Sequence, residues 1–193
     1  ITHPFDGFWG LRREGRGSVA AAVTFVALTI LTLTIEKQNT GFLFNFNRLS
    51  DLNVVVDVVT VALLYVLWCV ANWCTTSLMD GKGRMQDILT AVGYSLLPII
   101  LIRLPMVLMS HGITTNEGSF YYVVATGSYL APGFLIFTGT MVIHQYSGTK
   151  TIATCIVTIV GMGIIMFIGL LFFNVIKQML TFVTTIYKEL RFR

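Results

Sequence analysis

Long uncharged runs alternate with short polar connections along this chain. The runs cover residues 18–35, 58–79, 118–143 and 151–176, each near or above the roughly 18–20 residues that carry a helix across a bilayer core. The second extends as a helix back to residue 54, taking in Asp57. A fifth apolar stretch, residues 88–110, is interrupted by Pro98, Arg103 and Pro105 but otherwise matches the rest. Connections between the runs are short. The pattern therefore predicts one membrane domain over residues 1–193: an all-α integral bundle of five transmembrane helices, with an N-terminal interfacial segment and a C-terminal amphipathic helix over 176–191.

Composition agrees with the pattern. Hydrophobic residues make up 55% of the chain, charged residues only 11%, and mean hydropathy is +0.78. Soluble domains carry about 25% charged residues, so water is not the main solvent here. The first run is too long for a signal-peptide core and no small-x-small cleavage site follows it, so it is expected to be retained. The chain begins at Ile1 and not Met, and a few initial residues are expected to precede it.

Positive charge assigns the sides. Arg12, Arg13, Arg16, Lys82, Arg84 and Lys150 fall on one side, against Lys37 and Arg48 on the other before the C-terminal tail. This places the N-terminus in the cytoplasm and the C-terminus outside. Lys177, Lys188, Arg191 and Arg193 pull the other way, but the earliest spans usually dominate. The net charge of +4 is then juxtamembrane charge facing anionic headgroups, not a nucleic-acid surface.

The stretch "LWCVANWCTTSLMDGKGRMQD" invites a metal or redox reading through Cys69 and Cys74. Five residues apart on a helix, they lie ~140° apart around the axis, too far for a disulfide or a shared ion. Cys155 likewise reads as a small packing residue. Trp68 and Trp73 suit an interfacial belt, and "DGKG" suits a turn. His3, His111 and His144 are scattered at helix ends; no paired acids, phosphate-cradling loop or metal cluster is readable. No catalytic residue, cofactor or metal site is assigned.

Other polar positions carry more information. Arg103 lies ~22 Å from the cytoplasmic start of its helix, in the outer third of the bilayer, and Asp57 about one turn below the outer surface in the preceding span, so the depths predict an Asp57–Arg103 ion pair; separate snorkelling to the interface is the alternative. Pro98 and Pro105 predict a broken third span, either a packing kink or, as in some transporters, a lining for substrate. Thr154, Thr158, Gly161, Ile165 and Gly169 form a mostly small-residue stripe suited to close helix packing, within the chain or against a partner. Beyond it Ile176, Met179, Leu180, Val183, Tyr187 and Leu190 repeat at helical spacing and predict an amphipathic helix that either lies flat on the outer leaflet or projects as a rigid continuation of the span, in which case they form a docking face. Phe5, Phe8, Trp9, Arg12, Arg13 and Arg16 predict a segment lying on the cytoplasmic surface. Phe42, Phe44 and Phe46 predict aromatic anchoring between the first two spans, with Ser50 capping the next helix.

The succession "HPFDGFW", "RGS", "LWCVANW" running into "MDGKG", "YSLLP", "TTNEGSFYY", "HQYSGTKTI" and "TIVGMGIIMFIGLLFF" resembles the bacterial branch of the Yip family over nearly the whole chain. These are five-span membrane proteins whose relatives interact with Rab-type GTPases. Two departures stand out: Pro132 in "YLAPGF", and glycine where an acidic residue is expected after Trp9. The resemblance implies a bacterial cytoplasmic membrane and a non-enzymatic role. It suggests an accessory subunit that packs beside the permease of an ABC-type carbohydrate importer and accompanies its extracellular solute-binding protein. A second reading is an adaptor recruiting a cytoplasmic partner or anionic lipid through the N-terminal segment. An independent transporter is less consistent with the few intramembrane polar residues and the absence of an inverted repeat.

Overall fold

The computed structural model describes residues 3–45 and 53–191, apart from the side chains of Thr115 and Leu190. Among these residues the chain forms seven α-helices: α1 (Pro4–Arg13), α2 (Val19–Asn39), α3 (Val54–Leu78), α4 (Met85–Ser95), α5 (Leu97–Met109), α6 (Gly118–His144) and α7 (Gly148–Arg191). A 3-10 turn, Thr115–Glu117, leads into α6. Among the described residues five helical segments are long and apolar enough to cross a membrane, with α4 and α5 together making the third. The expected helical membrane bundle is therefore present. Phe46, Arg48, Ser50 and the side chain of Leu190 lie outside the described residues; at α3 the N-cap is Asn53, whose side chain accepts from the Val55 and Val56 N–H groups.

The distribution of side chains is that of a protein dissolved in lipid. Large apolar residues such as Leu31, Val55, Leu130, Phe134 and Phe167 face outward, whereas the most deeply buried side chains are mainly hydroxyl-bearing or small. Among them are Thr29, Thr32, Thr138, Thr154 and Thr158. Lipid tails are as apolar as leucine, so helices gain little by hiding leucine and more by approaching closely over small residues. The threonine hydroxyls are satisfied locally: Thr29 and Thr32 donate to the carbonyls of Phe25 and Leu28, both at 2.8 Å. Gly93 of α4 meets α2 so closely that an added Cβ would stand 2.6 Å from the Ala22 Cβ.

The third span breaks where proline requires it. Pro98 has no N–H to donate and occupies the first turn of α5, so the ladder ends at Ser95 and restarts at Leu97. Pro105 is accommodated inside α5. This broken rod packs against α2 on one side and α6 on the other, while α3 packs on α2, α4 and α7.

The last helix carries the fifth span and the C-terminal segment without a break, the projecting one of the two expected forms. It runs for 44 residues as one α-helix, about 66 Å at 1.5 Å per residue. Its first half leans mainly on α3 and less on α6; beyond Gly169 every described side chain is exposed through Glu189. No helix-breaking residue follows Gly169, which explains the uninterrupted ladder.

Candidate functional site

Of the two intramembrane charges singled out in the sequence, Arg103 is 5% exposed and fully engaged. Its Nη1 pairs with Glu36 Oε1, its Nε donates to Ser128 Oγ at 2.6 Å, and its Nη2 donates to the Ala125 carbonyl at 3.0 Å. The guanidinium carbon lies 4.1 Å from the centre of the Tyr129 ring. Asp57 instead holds Lys37, Oδ1 to Nζ at 2.5 Å. The predicted Asp57–Arg103 pair is thus replaced by two pairs, both anchored on α2. The reason is adjacency: α2 packs on both α3 and α5, so the neighbours Glu36 and Lys37 intercept the two charges on their way to one another. Matching depth alone does not determine which helices touch.

The two pairs still line one cleft, about 490 Å³ in volume, between the C-terminal half of α2 and the N-terminal halves of α3 and α6. Glu36, Lys37, Thr40, Asn45 and Asp57 stand at its polar end, and Ile30, Leu33, Val61 and Leu64 form its deeper apolar wall. Tyr121, Tyr122, Tyr129 and Phe44 supply aromatic surface. Phe44 stacks on Tyr121 with ring centres 4.6 Å apart and is buried, whereas Phe42 is 89% exposed. The aromatic loop therefore sends one ring into the protein and one outward.

The N-terminal segment is seated on the bundle. Phe8 is buried against Ala91, Leu135 and Ile143. Arg12 donates to the carbonyl oxygens of Ile143 and, at 2.9 Å, Lys82. Phe5 and Trp9 remain about half exposed, Arg13 stacks on the Trp9 ring at 4.3 Å, and Arg16 pairs with Glu14 at 2.6 Å. The expectation of a segment merely lying on the surface is corrected for Phe8 and Arg12, which hold it to α4, α6 and the α3–α4 turn.

That turn, "MDGKG", packs on the end of α6. Asp80 takes a left-handed conformation, φ 56°, and the Gly81 N–H donates to the Thr76 carbonyl at 2.8 Å. The Gly83 N–H donates to His144 Nδ1 at 3.3 Å, and a Cβ on Gly81 would stand 2.6 Å from that nitrogen. Both glycines thus serve close approach to a buried imidazole, a use that their turn chemistry did not announce. Tyr146 stacks on His144 and donates to the Met79 carbonyl at 2.9 Å. Burial first, and then the charge of Asp80, push its phenol up and keep it a donor.

Along α7, Thr154 and Thr158 are fully buried, and Asn72 Nδ2 donates to Thr158 Oγ1 at 3.4 Å. Gly161 sits over Ala71 and Thr75, but Gly169 has nothing within 4 Å of where its Cβ would be. The small-residue stripe is intramolecular at one end and open at the other. The C-terminal positions Ile176, Met179, Leu180, Val183 and Tyr187 are all exposed on the projecting part of α7. Cys69 is buried and Cys74 faces outward; both are free thiols, as their helical spacing requires. Trp73 faces outward, whereas Trp68 is partly buried against the α2–α3–α4 core.

A family model described as the Yip1 domain matches residues 1–186. No curated protein and no solved structure matches the chain.

Proposed function

Because this chain belongs to the Yip1 domain family, we propose that it works as a non-catalytic auxiliary subunit that binds a second membrane protein along α7. The observation carrying this reading is that helix itself: continuous over 44 residues, packed on α3 at its start and exposed thereafter. An isolated span gains nothing from extending beyond its own bundle, whereas an extended rod offers a partner the open Gly169 end of the stripe and the Ile176–Tyr187 positions. The partner class favoured by the family resemblance is the permease of an ABC-type carbohydrate importer, with its solute-binding protein on the extracytoplasmic side. The charge distribution supports a bacterial-type orientation with the α1 end cytoplasmic.

Purification of the full chain from its native membranes in gentle detergent, with mass spectrometry of what accompanies it, tests this reading. Permease and ATPase subunits are expected with the full chain and lost when it is shortened at Ile176. Recovery of the full chain without them overturns it.

The exposed pair Phe5 and Trp9, beside Arg13 and Arg16, favours a second reading as an adaptor for anionic lipid or a cytoplasmic partner. Phe5→Ala with Trp9→Ala separates the two, because it removes the outward face of α1 while leaving Phe8 in place. Lost recruitment with importer association intact would support the adaptor role.

A further inference from the structure

We propose that the cleft between α2, α3 and α6 binds one zwitterionic phospholipid with a primary ammonium headgroup, that is, a phosphatidylethanolamine. The cavity changes character along the bundle axis. Its charged rim and its apolar wall are about 10 Å apart, the rise along α2 from Lys37 to Ile30. An amphiphile matches that gradient: its chain covers Ile30, Leu33, Val61 and Leu64 while its head stays level with the charges.

The charges select the head. Glu36, Lys37, Asp57 and Arg103 sum to zero, so a purely anionic head would leave the cleft with a net negative charge, whereas a zwitterionic head keeps it balanced. Arg103 is buried and committed, but the Lys37 side chain is 40% exposed and shares one contact with Asp57 Oδ1. An ammonium has three N–H donors, so Lys37 can also serve a phosphate, and the second Asp57 oxygen can accept from a ligand's ammonium. Tyr122 lines the same cleft and adds aromatic surface near that cation. A trimethylated head has no N–H for the carboxylate and forfeits this bond.

Native mass spectrometry of the full chain in nonionic detergent, doped with phosphatidylethanolamine, phosphatidylglycerol or phosphatidylcholine of identical acyl chains, tests the assignment. One phosphatidylethanolamine per chain is expected, held about tenfold more tightly than either other lipid, as one charge-assisted bond implies. Asp57→Asn should abolish the preference, and Thr60→Trp, which fills the cleft from an exposed α3 position, should abolish retention. Lys150→Gln, remote from the cleft, should change neither. Equal retention of the three lipids, or binding indifferent to both cleft variants, overturns the proposal. Displacement by soluble phosphoethanolamine at equal concentration overturns the lipid in favour of a soluble ligand. If Asp57→Asn does not fold, Thr60→Trp and the lipid ranking on the unaltered chain still decide.

Discussion

Arg103 concentrates the electrostatic risk of this molecule in one side chain. A guanidinium 5% exposed within a span depends on every partner it has, and removing one leaves a buried charge uncompensated at a cost of about 3–5 kcal/mol. Glu36→Gln and Arg103→Met are therefore expected to be strongly non-additive in a double-mutant cycle of unfolding in detergent. The Asp57→Asn and Arg103→Met cycle should show a much smaller coupling energy, since each of those residues is held by a different neighbour on α2. Glycines give a second residue-scale contrast. Gly93→Ala drives a methyl into Ala22 and should destabilise by about 1–3 kcal/mol, whereas Gly127→Ala meets open space inside α6 and should be neutral or stabilise by up to about 1 kcal/mol. Denaturant titration followed by circular dichroism checks both. The chemistry of Arg103 was legible in the sequence as a rare basic residue deep in a span, but its partner was not. Choosing Glu36 over Asp57 requires knowing that α2 lies beside α5, and no local periodicity encodes helix adjacency.

Helices behave differently from residues in this respect. Their existence and length were readable because a bilayer core about 30 Å thick and a rise of about 1.5 Å per residue set the run length before any partner is known. The break near Pro98 was readable for the same reason, since a missing N–H acts on its own helix. The seating of α1 was hidden: Phe8 and Trp9 are adjacent aromatics, and only the groove between α4 and α6 decides that Phe8 enters while Trp9 stays outside. Phe8→Ala is accordingly expected to cost about 3–5 kcal/mol of stability and to expose residues 4–13 to limited proteolysis. Trp9→Ala should leave both nearly unchanged. For α7 the expectation is reversed. A chain shortened at Ile176 loses helical signal but keeps the elution profile and unfolding midpoint of the full chain in detergent, because the buried threonines lie N-terminal to the cut.

At the scale of the whole molecule, an odd number of crossings is expected to put α1 and the end of α7 on opposite sides of the membrane. In a cysteine-free background, Gly7→Cys and Thr185→Cys should react with an impermeant maleimide from opposite sides of sealed vesicles. Labelling of both from one side would remove one crossing from the fold. The inside-out arrangement of the core belongs to this scale as well. With Thr138, Thr154 and Ser128 buried and Leu130, Phe134 and Phe167 outward, stability in micelles should depend more on detergent packing around the outer surface than on the volume of any internal leucine.

A rod of about 66 Å cannot be contained in a slab about 30 Å thick. Even at the steepest inclination usual for spans, about 40°, only about 26 residues of α7 fit within the hydrocarbon, and about 18 must emerge. The charged residues Lys177, Lys188, Glu189 and Arg191 cluster in the emerging portion. Whatever grips that end is therefore held at a fixed standoff from the headgroups. Inserting or deleting seven residues there, close to two turns, would change the distance by about 10.5 Å while rotating the gripping surface by only about 20°, giving the molecule the geometry of a gauge.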